Sequence, residues 1–315
     1  MLDVKQLNEY LLNRKNLIVG VSGGLDSMVL LHSLWSYRNK IKHPFTVVHV
    51  DHQLSTESYN WAQFVKNWCD ENKVNFILKK VSLEGLGNNL EFAARKARYA
   101  AFVETGADAV ILAHHADDQI ETMFMKLLRG SGLKGLKGMS ETVPCWYDNN
   151  VLIVRPLLSK TRYQLAQYAD ENEIDYVTDQ SNSDLKYDRN WIRHSLWPTI
   201  KQRYEIADIN VSRTIKLLSE SWQLTQDLAK IDLAFCLDKE GYISWPKLKT
   251  LDQVRIKNLI LYILDIEGIQ NFSANHIERF SQGLSTTTFD GENELRLSDF
   301  VITKHGKKIT WRKLT

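Results

Sequence analysis

The sequence predicts a doubly wound α/β fold built on a parallel sheet, followed by a second, mainly helical domain. Three observations carry this. Over roughly the first 200 residues, short β-rich runs alternate with helix-patterned stretches. The strand-like runs are almost continuously apolar, as strands covered on both faces are. A glycine-rich turn, "SGGLDS" at 22–27, stands between the first run and the next helical stretch. In such sheets ligands bind at the carboxyl ends of the strands.

Taken in order, the first strand is expected at 16–21 (NLIVGV), with a helix opening near Asp26. The second is expected at 45–50 (FTVVHV). In the stretch after it, Trp61, Phe64, Val65 and Trp68 fall at i, i+3, i+4 and i+7, one face of a helix. A third strand is expected at 75–81 (NFILKKV), then a helix in "NNLEFAARKARYAAFVETG". A fourth follows at 108–115 (DAVILAHH), a helix in "DDQIETMFMKLLRG", and a fifth strand at 151–157 (VLIVRPL). Beyond about residue 205, long helical patterns dominate until a short β-like tail, "ELRLSDFVITKHGKKITW". The expected domains are therefore 1–204 and 205–315, with neither internal repeats nor low-complexity tracts.

Composition excludes several classes. The 315 residues are 43% hydrophobic and 25% charged with a net charge of +2, so total charge alone argues no nucleic-acid partner. Cys69, Cys145 and Cys236 are far apart with no CxxC pair, which argues against a disulfide framework and against zinc or iron–sulfur ligation. The amino terminus is polar, unlike a signal peptide, and no apolar run approaches the length of a membrane span. The expectation is a soluble, cytoplasmic protein.

The turn at 22–27 carries the first chemistry. Gly23 and Gly24 let the backbone turn its N–H groups into one concavity, and the following helix adds its positive end. Ser22 and Ser27 can add hydroxyl donors, and such a nest suits a pyrophosphate whose accompanying Mg²⁺ Asp26 can hold. The bland alternative is a tight turn, but its place between strand and helix favours a phosphate nest.

At the end of the second strand, Asp51 lies between His49 and His52. It either meets a ribose, base or metal, or caps the next helix; His49, inside the strand, reads as structural. At the fourth strand's end His114, Asp117, Asp118 and Glu121 crowd one junction, and Asp118 and Glu121 share a helical face. First-turn acids also suit a helix dipole, yet the crowding suggests a site for a cation or an amine. The stretch "KLLRGSGLKGLKG" (126–138) reads as a flexible basic loop suited to RNA phosphates. Arg95 and Arg98 occupy adjacent turns of one helix. Asp179, Ser181, Asn182, Asp184, Arg189, Asn190 and Arg193 form a dense polar block in which Arg189 and Arg193, at i and i+4, are placed to clamp phosphate.

Together, "SGGLDS", "HVDHQL", "NLEFAARKARY", "AHHADDQIETMFMKLLRGSGLKGLKGM", "RPLL" and "TDQSNSDLKYDRNWIR" resemble the tRNA(Ile)-lysidine synthase family of PP-loop ATP pyrophosphatases. The resemblance covers about residues 16–200, and only the architecture beyond. It implies a carbon–nitrogen ligase that uses ATP and Mg²⁺ to join L-lysine to C2 of the wobble cytidine in a CAU-anticodon isoleucine tRNA. It places ATP on Ser22, Gly23, Gly24, Leu25, Asp26 and Ser27, with His114 and either Arg95 or Arg98 near the α-phosphate. It assigns the lysine ammonium to Asp118 and Glu121, and Arg189 or Arg193 to a supporting role near the nucleotide. Longer family members carry a further C-terminal domain, so the chain resembles a short or truncated form. The residues leave the oligomeric state open, a homodimer being one candidate.

Three rivals differ in visible features. A tRNA 2-thiocytidine synthetase shares the loop but needs paired cysteines, and a glutamine-dependent synthetase needs an amidotransferase site. A non-catalytic nucleotide- or tRNA-binding protein on this scaffold would have lost the glycines or acids, and all are present.

Overall fold

The structure, a computed structural model, describes residues 1–53, 56–82, 90–179, 183–269, 272–288 and 291–314. The chain divides into two compact units, 1–216 and 217–315.

The first unit runs α1 (Val4–Tyr10), β1 (Leu17–Gly20), α2 (Leu25–Ser36), β2 (Phe45–Asp51), α3 (Ser58–Glu71), β3 (Asn75–Lys80) and α4 (Leu90–Val103). It continues through β4 (Ala109–Ile111), α5 (Ala116–Leu128), α6 (Leu133–Leu136), β5 (Thr142–Pro144), β6 (Leu152–Val154) and α7 (Arg162–Glu171). Next come α8 (Asp188–Trp191), a π-helical turn (Ile192–Leu196) and α9 (Trp197–Arg203). The sheet order is β3-β2-β1-β4-β6-β5, with all neighbours parallel except β5, which pairs antiparallel with β6. The doubly wound α/β expectation is met.

Residue alternation explains the two layers. Leu17 and Val19, Val47, Ala109 and Ile111, and Val154 face one core, shared with α2, α3 and α7. Ile18, Val48, Val110 and Ile153 face the other, where Tyr99 and Phe102 of α4 cover them. In α2, Met28 to Leu31 and Leu34 are wholly buried, each worth roughly 2 kcal/mol of apolar transfer. An aspartate at Leu30 would therefore uncouple this helix from the sheet.

Three local expectations are corrected. The strand expected at 108–115 pairs only over Ala109–Ile111, because the chain must leave the ladder to deliver its histidines to α5. The antiparallel β5 is new. The stretch 126–138 is not a loose loop: it completes α5, forms α6, and is pinned where Gln119 accepts from the Met139 N–H at 2.5 Å and donates to the Met139 carbonyl at 2.8 Å.

The second unit includes most of α10 (Ala207–Cys236), then β7 (Ile243–Ser244), α11 (Trp245–Leu248), α12 (Gln253–Ile266) and α13 (Ala274–Thr286). The tail forms β8 (Asn293–Arg296), β9 (Phe300–His305) and β10 (Lys308–Lys313), in an antiparallel sheet ordered β7-β10-β9-β8. Its core joins Ile256, Leu259, Ile260 and Ile263 of α12 to Phe280 of α13 and Phe300 and Ile302 of β9. Among the described residues, no helix is long and apolar enough to cross a membrane.

Candidate active site

Strand order locates the site. From β1 the chain proceeds to β2 and β3 on one side, then returns to place β4 on β1's other side. The crevice at the carboxyl ends of β1 and β4 is the switch point where open α/β sheets bind ligands. The turn at 22–27 and the His114–Asp118 junction both leave the sheet there.

Residue 20 must be small, since a Cβ there would lie 2.8 Å from both Leu112 and Phe102 carbons. Gly23 has a φ of +91°, a conformation side chains disfavour. The turn closes on Ser27: its Oγ accepts from the Ser22 and Gly23 N–H groups at 3.2 Å each and donates to the Gly24 carbonyl at 2.9 Å. Those bonds hold the turn in shape, so that the donors left to form an anion nest are the first-turn N–H groups of the helix that follows. Gly24 is the N-cap of α2 and has no side chain with which to cap it, leaving the helix's first-turn N–H groups for a ligand.

At the second junction the two histidines differ sharply. Arg155 Nε donates to His114 Nδ1 at 3.2 Å, so the proton of the neutral ring sits on Nε2. Burial, and then the charges of Arg155 and Arg98, hold His114 well below the ordinary histidine value. His115 is fully buried, with Asp26 at 3.4 Å, Asp117 at 3.5 Å and Asp118 at 3.6 Å. Burial disfavours its charge, but the facing carboxylates of Asp117, Asp26 and Asp118 prevail and push it up to about 10. Asp26 shows the converse: burial resists ionisation, and His115 outweighs it, so its carboxyl lies below the usual range. The backbone N–H of His115 donates to Asp118 Oδ2 at 3.0 Å, fixing the first turn of α5.

Behind this junction four charges interlock. Arg189 meets Asp118 at 2.7 Å and Glu121 at 2.6 Å, and Arg193 Nε meets Glu121 at 2.6 Å. Asp118 and Glu121 are 7% and 3% exposed, so each buried carboxylate is matched by a guanidinium. The π-turn beginning at Ile192 carries Arg193 onto the same side as Arg189.

A cleft of about 450 Å³ gathers these groups. Of the residues singled out in the sequence, Ser22, Gly24, Leu25, Asp26, Ser27, His52, Arg98, His114, Asp118, Arg189, Asn190 and Arg193 line it. Gly23, Glu121 and Arg95 do not; Gly23 shapes the turn, Glu121 anchors the arginines, and Arg95 lies over the Tyr99 ring with 5.6 Å to its centroid. Asp51 neither caps α3 nor lines the cleft, but accepts from the Gln53 N–H at 2.8 Å in a local turn. His49 bridges to the Val21 carbonyl at 2.9 Å, as a structural residue would. Ser181 and Asn182 of the polar block lie outside the described residues.

Sequence reasoning passed over His115, Arg162 and the segment 176–178. The Val177 N–H donates to the Gly23 carbonyl at 2.9 Å, laying that segment along the turn. The signal for His115 was its place in the histidine pair, where its neighbour drew the attention.

Comparisons with known proteins bear on the family and the fold. A family model described as a PP-loop domain matches residues 2–200. A tRNA(Ile)-lysidine synthase of Salmonella schwarzengrund is 33% identical over 312 residues, 98% of this chain and 71% of that protein. Another, from Nitrosomonas europaea, is 36% identical over 249 residues, 79% of this chain and 54% of that protein. A solved U34-tRNA thiolase NcsA from Methanococcus maripaludis, with its 4Fe-4S cluster, aligns with a TM-score of 0.54 at 16% identity. It covers 69% of this chain and 78% of its own and is similar in fold alone. With the PP-loop match over most of the chain and relatives a third identical along nearly all of it, the chain belongs to the tRNA(Ile)-lysidine synthase family of PP-loop proteins.

Proposed function

We propose that this protein joins L-lysine to C2 of the wobble cytidine of a CAU-anticodon isoleucine tRNA at the expense of ATP. One observation carries the reading: a single cleft unites an anion nest with a mixed cluster of carboxylates and guanidinium groups. The nest suits a triphosphate; the cluster suits a substrate bearing both an ammonium and a carboxylate, which an amino acid is.

The chemistry divides into two balanced steps. Cytidine O2 attacks the α-phosphorus and pyrophosphate leaves; the lysine ε-amine then attacks C2, loses a proton, and AMP leaves. The open first turn of α2 receives the leaving pyrophosphate, while Arg98 and the Nε2–H of His114 stand on the cleft wall to neutralise the α-phosphate. In this reading Asp118, which lines the cleft, receives the amine and takes its proton. Since Arg189 already holds Asp118, the ammonium would bind by sharing that carboxylate rather than meeting a bare one.

Asp26 fits Mg²⁺. Its Oδ1 is buried without a hydrogen-bond partner while Oδ2 faces His115, leaving an anionic oxygen for a cation. Bound there, the ion would add charge neutralisation to the phosphates. Residues 205–315 serve in this reading as the tRNA-binding domain; the basic residues of β10 support that role.

The test supplies the purified protein with ATP, lysine and a CAU isoleucine tRNA. AMP and pyrophosphate should appear only when both co-substrates are present, and mass spectrometry should find one lysine on the wobble cytidine. ATP turnover without lysine attachment would refute the lysidine reading and leave the PP-loop chemistry standing.

A further inference from the structure

Away from the cleft, three exposed aromatic side chains cluster, with Trp146 between Phe92 and Tyr147. Phe92 is 57% exposed, Tyr147 45% and Trp146 38%. The Phe92 and Trp146 ring centroids lie 6.3 Å apart with planes inclined by 30°, and Tyr147 meets Trp146 edge-on at 6.0 Å. Tyr99, itself buried, supports Trp146 from below at 5.8 Å. The outer rings therefore rest on a fixed base.

Charge accompanies the rings. Phe92, Arg95, Lys96 and Tyr99 stand at i, i+3, i+4 and i+7 of α4 and form one stripe. Arg95 and Lys96 are exposed. The acid beside Tyr147 in sequence, Asp148, is turned to other use: its Oδ1 accepts from the backbone and side-chain amides of Asn150 at 2.9 Å. Contiguous exposed apolar patches mark binding surfaces. Aromatic rings flanked by guanidinium and ammonium groups are the chemistry that stacks unpaired nucleobases and neutralises the phosphates between them.

Beneath the patch, buried Tyr99 packs edge-on against Phe102 at 6.2 Å, and Phe102 lines the cleft, so patch and cleft share one ring-packed support.

We propose that Phe92, Trp146 and Tyr147 form a stacking platform for unpaired bases of a single-stranded RNA loop, flanking the base that enters the cleft. This rests on the reading above that the substrate is an RNA loop. A protein partner would also cover apolar rings, but a cationic stripe beside them favours RNA.

The experiment uses the full chain and fluorescence anisotropy with two probes, a labelled stem–loop RNA with a CAU anticodon and a blunt duplex of the same stem. Trp146→Ala and Phe92→Ala should each weaken loop binding roughly tenfold, the scale of one lost base–ring stack. Trp146→Phe should bind nearly as wild type, the duplex should be unaffected, and KM for ATP should not move. Circular dichroism checks folding, and exposed Phe92 gives a readout if Trp146→Ala misfolds. Wild-type affinity for the loop in folded alanine variants overturns the platform. So does an equal loss for the duplex, or altered self-association by light scattering with RNA binding intact. Because binding is read without turnover, failure of the platform is distinguishable from failure to make lysidine.

Discussion

Glu121 and Arg193 meet as a fork: Arg193 Nε donates to Oε1 at 2.6 Å and its terminal nitrogen to Oε2 at 3.1 Å, with the carboxylate buried. Without Arg193 the carboxylate would still be held by Arg189, so what is lost is the pair of charge-assisted hydrogen bonds rather than the whole neutralisation of Glu121. Arg193→Gln should therefore lower stability in urea by about 2 kcal/mol. Arg193→Lys keeps the charge but loses the fork, and should spare more stability than activity. An unfolding free energy within about 0.5 kcal/mol of wild type for Arg193→Gln would show that the pair contributes no more than a surface bridge.

Asp118 reaches the cleft whereas Glu121 stands behind it. Asp118→Asn should consequently raise KM for lysine more than KM for ATP. Glu121→Gln should act through Arg189 and Arg193 and lower stability as well. A matched rise in both KM values for Asp118→Asn would remove that residue from the amino-acid site.

His115 ties the turn after β1 to the start of α5 through Asp26 and Asp118. Replacing it by glutamine leaves three carboxylates facing one another across a buried gap. We expect KM for ATP to rise about tenfold, together with a lower melting temperature. A lower melting temperature with KM for ATP unchanged would confine His115 to a structural role.

His114 gives the pH signature. Its depressed pKa means that the unfolded chain takes up a proton the folded one refuses. Its contribution to stability is thus present above about pH 6.5, the unfolded value, and is lost as pH falls below it. Stability should decline on acidification, and His114→Gln should make that decline shallower. An identical pH profile in the variant would show that this ring does not govern it.

Much of the scaffold was legible because its signals are local. Apolar runs marked β1 to β4 and β6, and the glycines marked the turn, since period and backbone freedom belong to a few consecutive residues. What escaped depended on distant partners. Nothing near His115 announces Asp26, nearly ninety positions earlier. The acids at 118 and 121 and the arginines at 189 and 193 were each visible, but their pairing arises only when α8 and the π-turn return to α5. The β5 strand, three residues ending in a proline, is too short to show alternation.

The bare N-cap at Gly24 has a consequence for the whole protein. A serine there would satisfy the helix end internally and stabilise it by a few tenths of a kcal/mol. With glycine, α2 reaches its full complement of bonds only when an anion arrives, so folding and nucleotide affinity are thermodynamically linked through the same amide groups. Heat resistance in this protein should accordingly track the nucleotide supply, rising with the logarithm of its concentration once the site saturates.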